Sequence, residues 1–284
     1  MTAGSLPVLG LLAVGCLPAA QNPAPPASST PTDAELREIL KKSADEDTLN
    51  FDPSRDYVYV EDKETRLVDA QGKVTKSHSE TRESMVLYGE RYERLIRKDG
   101  KPLSPKQERA EQQKLDKETS KRKREPAEAK AKRLETERQR NLACSGEFVD
   151  GFQFRLLGVE SVNGRPAWKV EAEPIPGGSP GCEAVKKVKQ FRLRIWIDQA
   201  EPSWSRMEAD NVAPVTAGAI LIRAPAGALH TIVESTRRDD GAWLPARTLI
   251  RVDAKLILMA KVHLEIETTY SDYRKFQSES KIVE

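Results

Sequence analysis

The period of apolar and polar residues changes several times along the chain, and each change predicts an element. Thr32-Asp33-Ala34-Glu35 reads as a capping box, and Leu36, Ile39 and Leu40 follow at helical spacing. A short amphipathic helix is expected over about residues 33–43. From residue 56 the period is two, which predicts a strand to Val68, a turn at Asp69-Ala-Gln-Gly72, and a returning strand over 73–88. Gly89-Glu90 and Lys98-Asp99-Gly100 bracket a third strand over 91–97. Strands are expected to resume from residue 147. Residues 152–160 and 167–173 flank Val162-Asn163-Gly164, an Asn-Gly hairpin signal. Further alternating runs cover 188–198, 203–212, 219–222, 229–238 and 243–250, with Asp239-Asp240-Gly241 as a turn. In the first of these, Leu193, Ile195 and Ile197 share one face, opposite Arg192, Arg194 and Trp196.

The clearest alternation lies between Arg251 and Tyr270. Val252, Ala254, Leu256, Leu258, Ala260, Val262, Leu264 and Ile266 hold the even positions, and mostly charged residues hold the odd ones. Twenty extended residues would span roughly 65 Å, longer than ordinary strands. The run must therefore bend sharply, or turn once near Lys255 or Ala260. Either way one sheet face is apolar and the other wet, as antiparallel sheets allow. About ten short strands joined by tight turns predict a mainly β (α+β) fold, a curved antiparallel sheet closing on itself with helices against its apolar face.

Residues 104–141 are a different material. They hold 13 basic and 8 acidic residues, few apolar ones, and mostly strong helix formers. Pro126 should divide this insertion (104–143) into two helices or kink one. The segment also explains the composition. The whole chain of 284 residues is 32% charged and 38% hydrophobic. Outside the arm the charged fraction drops to about 28%, ordinary for a globular domain. A net charge of +2 argues against a dedicated nucleic-acid binder. The absence of any apolar run of ~18–20 residues excludes a polytopic helical membrane protein.

The N-terminus reads as an export address. Leu6 to Val14 form a short apolar h-region within a signal segment assigned to residues 1–20. Leu12-Ala13-Val14-Gly15-Cys16 looks like a lipobox, which would place a lipid on Cys16. No Lys or Arg precedes the run, and ordinary cleavage near Ala19-Ala20 is the alternative. Residues 21–32 are rich in Pro, Ser, Ala and Thr, a tether composition. The domain proper is then 33–284. Export permits disulfides. With Cys16 lipidated or removed, Cys144 and Cys182 are left, either as a bridge or as two separate buried thiols.

The remaining chemistry is sparse. His78, His230 and His263 sit on separate strands without metal-ligand spacing. No phosphate-cradling loop, nucleophile elbow or zinc-protease signature occurs, so no catalytic residue, metal or cofactor is expected. Lys121-Arg-Lys-Arg124 fits anionic lipid headgroups or, through phosphate contacts, nucleic acid, which export makes a remote partner; the plainer reading is a solvated helix face with interleaved acids. Trp168, Trp196, Trp204 and Trp243 suit either a ligand cavity or ordinary packing. A transmembrane β-barrel is disfavoured by high charge and few aromatics.

Several phrases together carry a family resemblance. Leu193-Arg-Ile-Trp-Ile-Asp198 followed by Trp204-Ser-Arg-Met-Glu208 resembles the hairpin of outer-membrane lipoprotein-sorting proteins. Gly164-Arg-Pro-Ala-Trp168, Gly241-Ala-Trp-Leu-Pro245 and Thr269-Tyr-Ser-Asp-Tyr-Arg-Lys-Phe276 fit the same group. The resemblance covers roughly residues 149–276, with weaker support over 56–103. It implies a LolA/LolB-like fold: an incomplete antiparallel β-barrel with helices across its apolar mouth, binding acyl chains or lipoproteins in the periplasm. The family has no catalytic residues to carry over. The charged arm and the lipobox depart from the simple carrier pattern, and the lipobox suits an anchored receptor more than a shuttling carrier. On this reading Val252, Ala254, Leu256, Leu258, Val262, Leu264 and Ile266 line the apolar cavity or core. The partners are acyl chains or lipoproteins, with no nucleic acid, and with the membrane reached only through a lipid anchor. The protein then belongs in the bacterial periplasm, at the outer membrane. The alternative is an envelope interaction or signalling module, its barrel fully packed and residues 104–141 binding a protein partner.

Overall fold

The computed structural model describes residues 30–50, 57–69, 71–217, 222–256 and 261–276. Among them the chain opens with helix α1 (Asp33–Asn50) and the meander β1 (Tyr57–Val68), β2 (Val74–Leu87), β3 (Glu90–Lys98) and β4 (Lys101–Pro102). Helices α2 (Pro105–Arg124) and α3 (Ala127–Gly151) follow. The hairpin β5 (Phe152–Val162) and β6 (Arg165–Pro174) leads through α4 (Glu183–Val188) to β7 (Phe191–Asp198) and β8 (Trp204–Asn211). Two short strands, β9 (Val215–Ala217) and β10 (Ile222–Ala224), precede β11 (Leu229–Arg237), β12 (Trp243–Leu256) and β13 (Lys261–Lys275).

All described strands join one antiparallel sheet in the order β4-β3-β2-β1-β13-β12-β11-β8-β7-β6-β5, with β9 and β10 on a branch from β12. Its two ends, β4 and β5, do not pair with each other, so the barrel is incomplete. The long run of alternation resolves into two strands: Lys255 pairs with Lys261, so the chain turns once between β12 and β13. The charged arm is the connection between the two sheet edges. It leaves β4 at one edge and delivers β5 at the other.

The core forms where helices meet one half of the sheet. Leu36, Leu40 and Ala44 of α1 and Phe148 and Val149 of α3 pack with Val170, Ala172, Leu193, Ile195 and Ile197 of β6 and β7. Full burial of a Leu, Ile, Val or Phe contributes about 1.5–3 kcal/mol, so this cluster dominates the stability. Trp204 Nε1 donates to Ser43 Oγ at 2.9 Å, fixing α1 over β8. At the other edge α2 covers β3. Arg122 donates to the carbonyls of Leu87 and Glu90 at 2.9 Å and of Arg91 at 3.1 Å. Backbone acceptors around the β2–β3 turn are thereby satisfied.

The helices differ from the sequence expectation at three places. The α1 helix runs to Asn50 rather than Ser43, because its apolar stripe ends before any helix-breaking residue occurs. Residues 147–151 are helical, not extended. Ser145, Phe148 and Val149 recur at helical spacing and are buried, so packing overrides a local pattern that includes Gly146. The short α4 takes in Val188, so the strand that alternation suggested from 188 begins at Phe191. Pro126 divides the arm, serving as N-cap of α3 after α2 ends at Arg124.

The turn between β7 and β8 gives the Trp-Ile-Asp phrase a physical role. Asp198 is buried, accepts from Arg165 at 2.6 and 2.9 Å, and accepts from the backbone N–H groups of Ala200 and Glu201 at 2.9 and 3.0 Å. Cys144 and Cys182 form a disulfide across a sequence separation of 38, tying α3 to the N-cap of α4. In the chain-entropy account a loop of this length is worth about 4 kcal/mol. Reduction, or replacing both cysteines by serine, should lower the thermal midpoint accordingly. An unchanged midpoint would mean the bridge adds no stability.

Candidate functional site

Strand register shows which side chains share the face that receives the helices. One row runs Phe154, Ala172, Leu193, Ala209, Thr231, Ile250, Ile266 and Thr65, each paired with the next across β5, β6, β7, β8, β11, β12, β13 and β1. A second runs Leu156, Val170, Ile195, Met207, Val233, Thr248 and Thr268. A third links Leu229, Val252, Leu264 and Leu67. Directly paired residues lie on one face of a sheet.

Burial changes abruptly along these rows. Ala172, Leu193 and Ala209 are buried under α1 and α3, whereas Thr231, Ile250, Ile266 and Thr65 are half-buried. Leu229, Val252, Leu264 and Leu67 are half-buried as well. The helical cover thus stops near β8, and the same apolar face continues partly open to β1. Such a surface, contiguous with a core, is where an apolar ligand would be expected. A hollow of about 580 Å³ at the ends of β1, β12 and β13 belongs instead to the opposite, charged face: Arg66, Arg251, Asp253, His263 and Glu265 line it, together with Val68, Val74 and Leu264.

The open half is apolar at one end and polar at the other. Towards the start of β1, Tyr59 lies 5.7 Å from the Tyr270 ring and 5.3 Å from the Tyr273 ring. The Arg91 guanidinium sits 5.9 Å over Tyr59 and donates to its hydroxyl at 2.9 Å. Glu61 pairs in register with Arg82, and Ser84 with Glu93. Burial, then the neighbouring Glu93 carboxylate, pushes the Glu61 carboxyl upward. Burial pushes the Tyr59 hydroxyl up to about 12 and also raises Tyr273. Ser84 is buried, and its hydroxyl has no hydrogen-bond partner among the described residues. Sequence reading did not single out this polar end, since its members come from four strands, β1, β2, β3 and β13, with no shared local motif.

The opposite face carries an ion-pair ladder. Arg66 bridges Glu265 and Glu267 at 2.7 and 3.0 Å, Arg247 holds Glu267 at 2.7 Å, and Arg206 holds Glu234 at 3.1 Å. Hydrogen bonds from Arg251 and Arg247 hold the Glu265 and Glu267 carboxylates below their ordinary range. Trp196 lies under Lys169 and Arg206, and its Nε1 donates to Glu160 at 2.8 Å. Trp196 is buried in that face rather than lining the apolar side.

Of the residues singled out in sequence, Val252, Leu264 and Ile266 fall together on the open apolar face. Ala254 pairs with Val262 in the same ladder. The side chains of Ala254, Leu256 and Val262, and the whole of Leu258 and Cys16, lie outside the described residues. The three histidines each face one aspartate through Nδ1: His78 with Asp99, His230 with Asp210, His263 with Asp253, at 2.5, 2.6 and 2.5 Å. No group of three or more metal-ligating side chains occurs among the described residues. No described helix is long and apolar enough to cross a membrane.

No protein-family model and no curated protein matches the chain. Solved structures similar to it include an outer membrane lipoprotein-sorting protein domain from Vibrio parahaemolyticus, with 12% identity and a TM-score of 0.34 over 86% of this chain and 94% of that one. A LolA superfamily protein from Nitrosomonas europaea is similar at 12% identity and TM-score 0.34, covering 85% of this chain and 93% of that one. A DUF1329 family protein from Desulfovibrio piger is similar at 11% identity and TM-score 0.35, covering 88% and 95%.

The tyrosine cluster predicts alkaline sensitivity. Tyr59 is raised to about 12 from an ordinary value of 10.0. Below the ordinary value both folded and unfolded chains keep the proton, and its stabilisation is complete. Between the two values the unfolded chain releases it first, so stability falls as pH rises. Tyr59→Phe should flatten that fall in urea titrations made across this window. An identical pH slope in the variant would contradict burial of the hydroxyl.

Proposed function

We propose that the chain is a periplasmic lipid- or lipoprotein-binding protein of the outer-membrane lipoprotein-sorting type. It buries acyl chains, without catalysis, against the open half of its incomplete barrel. The observation that carries this reading is the step from buried to half-buried side chains along one continuous apolar face, between Ala209 and Thr231. Each methylene buried there would contribute about 0.8 kcal/mol. Leu67, Leu229, Ile250, Val252, Leu264 and Ile266 would receive the chain, with Ala254, Leu256, Leu258 and Val262 extending the lining. The end around Glu61, Arg82, Arg91 and Tyr59 would face the more polar part of the ligand. Lipidation of Cys16 and the tether over residues 21–32 would hold the domain at the outer membrane, as suits a receptor.

One observation favours the second reading, an envelope interaction or signalling module. The β5–β8 half is already filled by the chain's own helices, and the exposed arm would then meet a protein partner.

Purified protein should co-purify with lipid by mass spectrometry and take up a fluorescent fatty acid. Introducing Val252→Glu with Leu264→Glu should weaken uptake by at least about tenfold, since unpaired charge in an apolar site is costly. A lipid-free preparation that ignores the probe would sink the acyl-binding reading and leave the second. For the anchor, Cys16→Ala should release the protein from membranes; unchanged membrane association would contradict lipidation.

A further inference from the structure

The positive charge of the arm is concentrated at the elbow between α2 and α3. Between Lys114 and Arg133 there are nine basic and four acidic residues, while the rest of the arm is balanced. The fold uses part of that charge. Arg122 binds the β2–β3 carbonyls, Lys130 donates to the Tyr88 carbonyl, and Arg133 pairs with Glu90 and Glu125 at 2.9 and 2.8 Å. Lys114 pairs with Glu111 at 2.5 Å. The remainder is unused: Lys117, Lys123, Arg124 and Lys132 are exposed and have no ion-pair partner among the described residues. Lys121, 77% exposed, reaches only Glu118 at 3.7 Å.

A helix C-terminus favours cations, but one or two satisfy that need, and Arg122 already stands there. We propose that the elbow is an electrostatic docking surface for an anionic phospholipid bilayer. Three features favour a bilayer over an acidic protein. The free cations lie on two helices on either side of the bend at Pro126, so they are spread over the elbow rather than gathered at one point. Among the described residues one exposed aromatic borders them, Tyr88 at the β2–β3 turn, whose carbonyl accepts from Lys130; the other large exposed hydrophobics occur elsewhere, so no cluster of anchors is present. A protein interface draws most of its energy from a cluster of such anchors, whereas a charged lipid surface attracts each nearby Lys or Arg without any. Complementarity also gives direction, because the excess charge sits on this one segment. The elbow adds a second membrane contact to the lipid anchor expected at Cys16, and it does not depend on whether the open sheet face holds an acyl chain.

The test uses the full chain carrying Cys16→Ser, so that no acyl group contributes. Cosedimentation is measured with vesicles of phosphatidylethanolamine containing phosphatidylglycerol, and with neutral phosphatidylcholine vesicles. Binding is expected only to the anionic vesicles, and should weaken as salt is raised, since exposed charges are screened. Lys117→Gln, Lys123→Gln, Arg124→Gln and Lys132→Gln together should weaken binding at least about tenfold. These side chains are exposed and lie outside both the core and the open sheet face, so fatty-acid uptake should be unchanged. Equal binding to neutral vesicles, or a variant that binds like the parent, would overturn the proposal. So would capture by polyglutamate with no binding to anionic vesicles, which would assign the patch to an acidic protein instead. A Cys16→Ser parent that binds anionic vesicles but takes up no fatty acid would count against the acyl site and leave the elbow standing.

Discussion

Burial of Leu36, Leu40, Phe148 and Val149 against Val170, Leu193, Ile195 and Ile197 is the packing on which the rest of the molecule depends. It fixes two helices on one half of an open sheet and so decides which half is left uncovered. The bridge from Cys144 to Cys182 and the bond from Trp204 to Ser43 hold the same two helices in place from outside the cluster. The aromatic rings of Phe148, Phe152, Phe154 and Trp204 fill the space between helix and sheet, with centroids 5.0 to 6.3 Å apart.

An incomplete barrel has two edges, and an exposed edge invites pairing with other chains. The arm answers this problem at one edge by laying α2 along β3, with Arg122 across three backbone carbonyls. It then carries the chain to the opposite edge, where α3 leads into β5. What looks in sequence like an appendage is therefore the link between the two margins of the sheet. Its inward residues on α2 are Glu111, Leu115, Glu118 and Arg122, a mostly polar stripe, because backbone acceptors and charged side chains are what it meets there.

How much was legible in sequence follows the length of the contacts involved. Period-two alternation with tight turns located β1, β2, β3, β5, β6 and β8 to within a few residues, since both signals are local. The Asn163-Gly164 turn and the Thr32 capping box are likewise self-contained. Helix at 147–151 was not legible, because Phe148 and Val149 are helical on account of α1, more than a hundred residues earlier. The apolar face was readable from Val252, Leu264 and Ile266, yet its division into a covered and an open half was not. That division depends on how far α1 and α3 reach, which no period encodes. The polar end escaped for the same reason: Tyr59, Arg91 and Tyr270 meet only through strand pairing.

The composition of the open face matters as much as its exposure. Covered positions are occupied by Val170, Ala172, Leu193 and Ile195, with no hydroxyl among them. Beyond β8 the same rows mix Leu229, Val252, Leu264 and Ile266 with Thr65, Thr231, Thr248 and Thr268. Thr248 meets the Tyr270 hydroxyl, but a face that was always dry would leave the other hydroxyls in need of partners. One that was always wet would have no use for so many aliphatic side chains in register. Threonine keeps the β-branched shape that suits a pleated surface while accepting water. The mixture fits the surface proposed above, one that would be alternately hydrated and covered, its aliphatic side chains meeting an apolar chain and its hydroxyls meeting water when none is there.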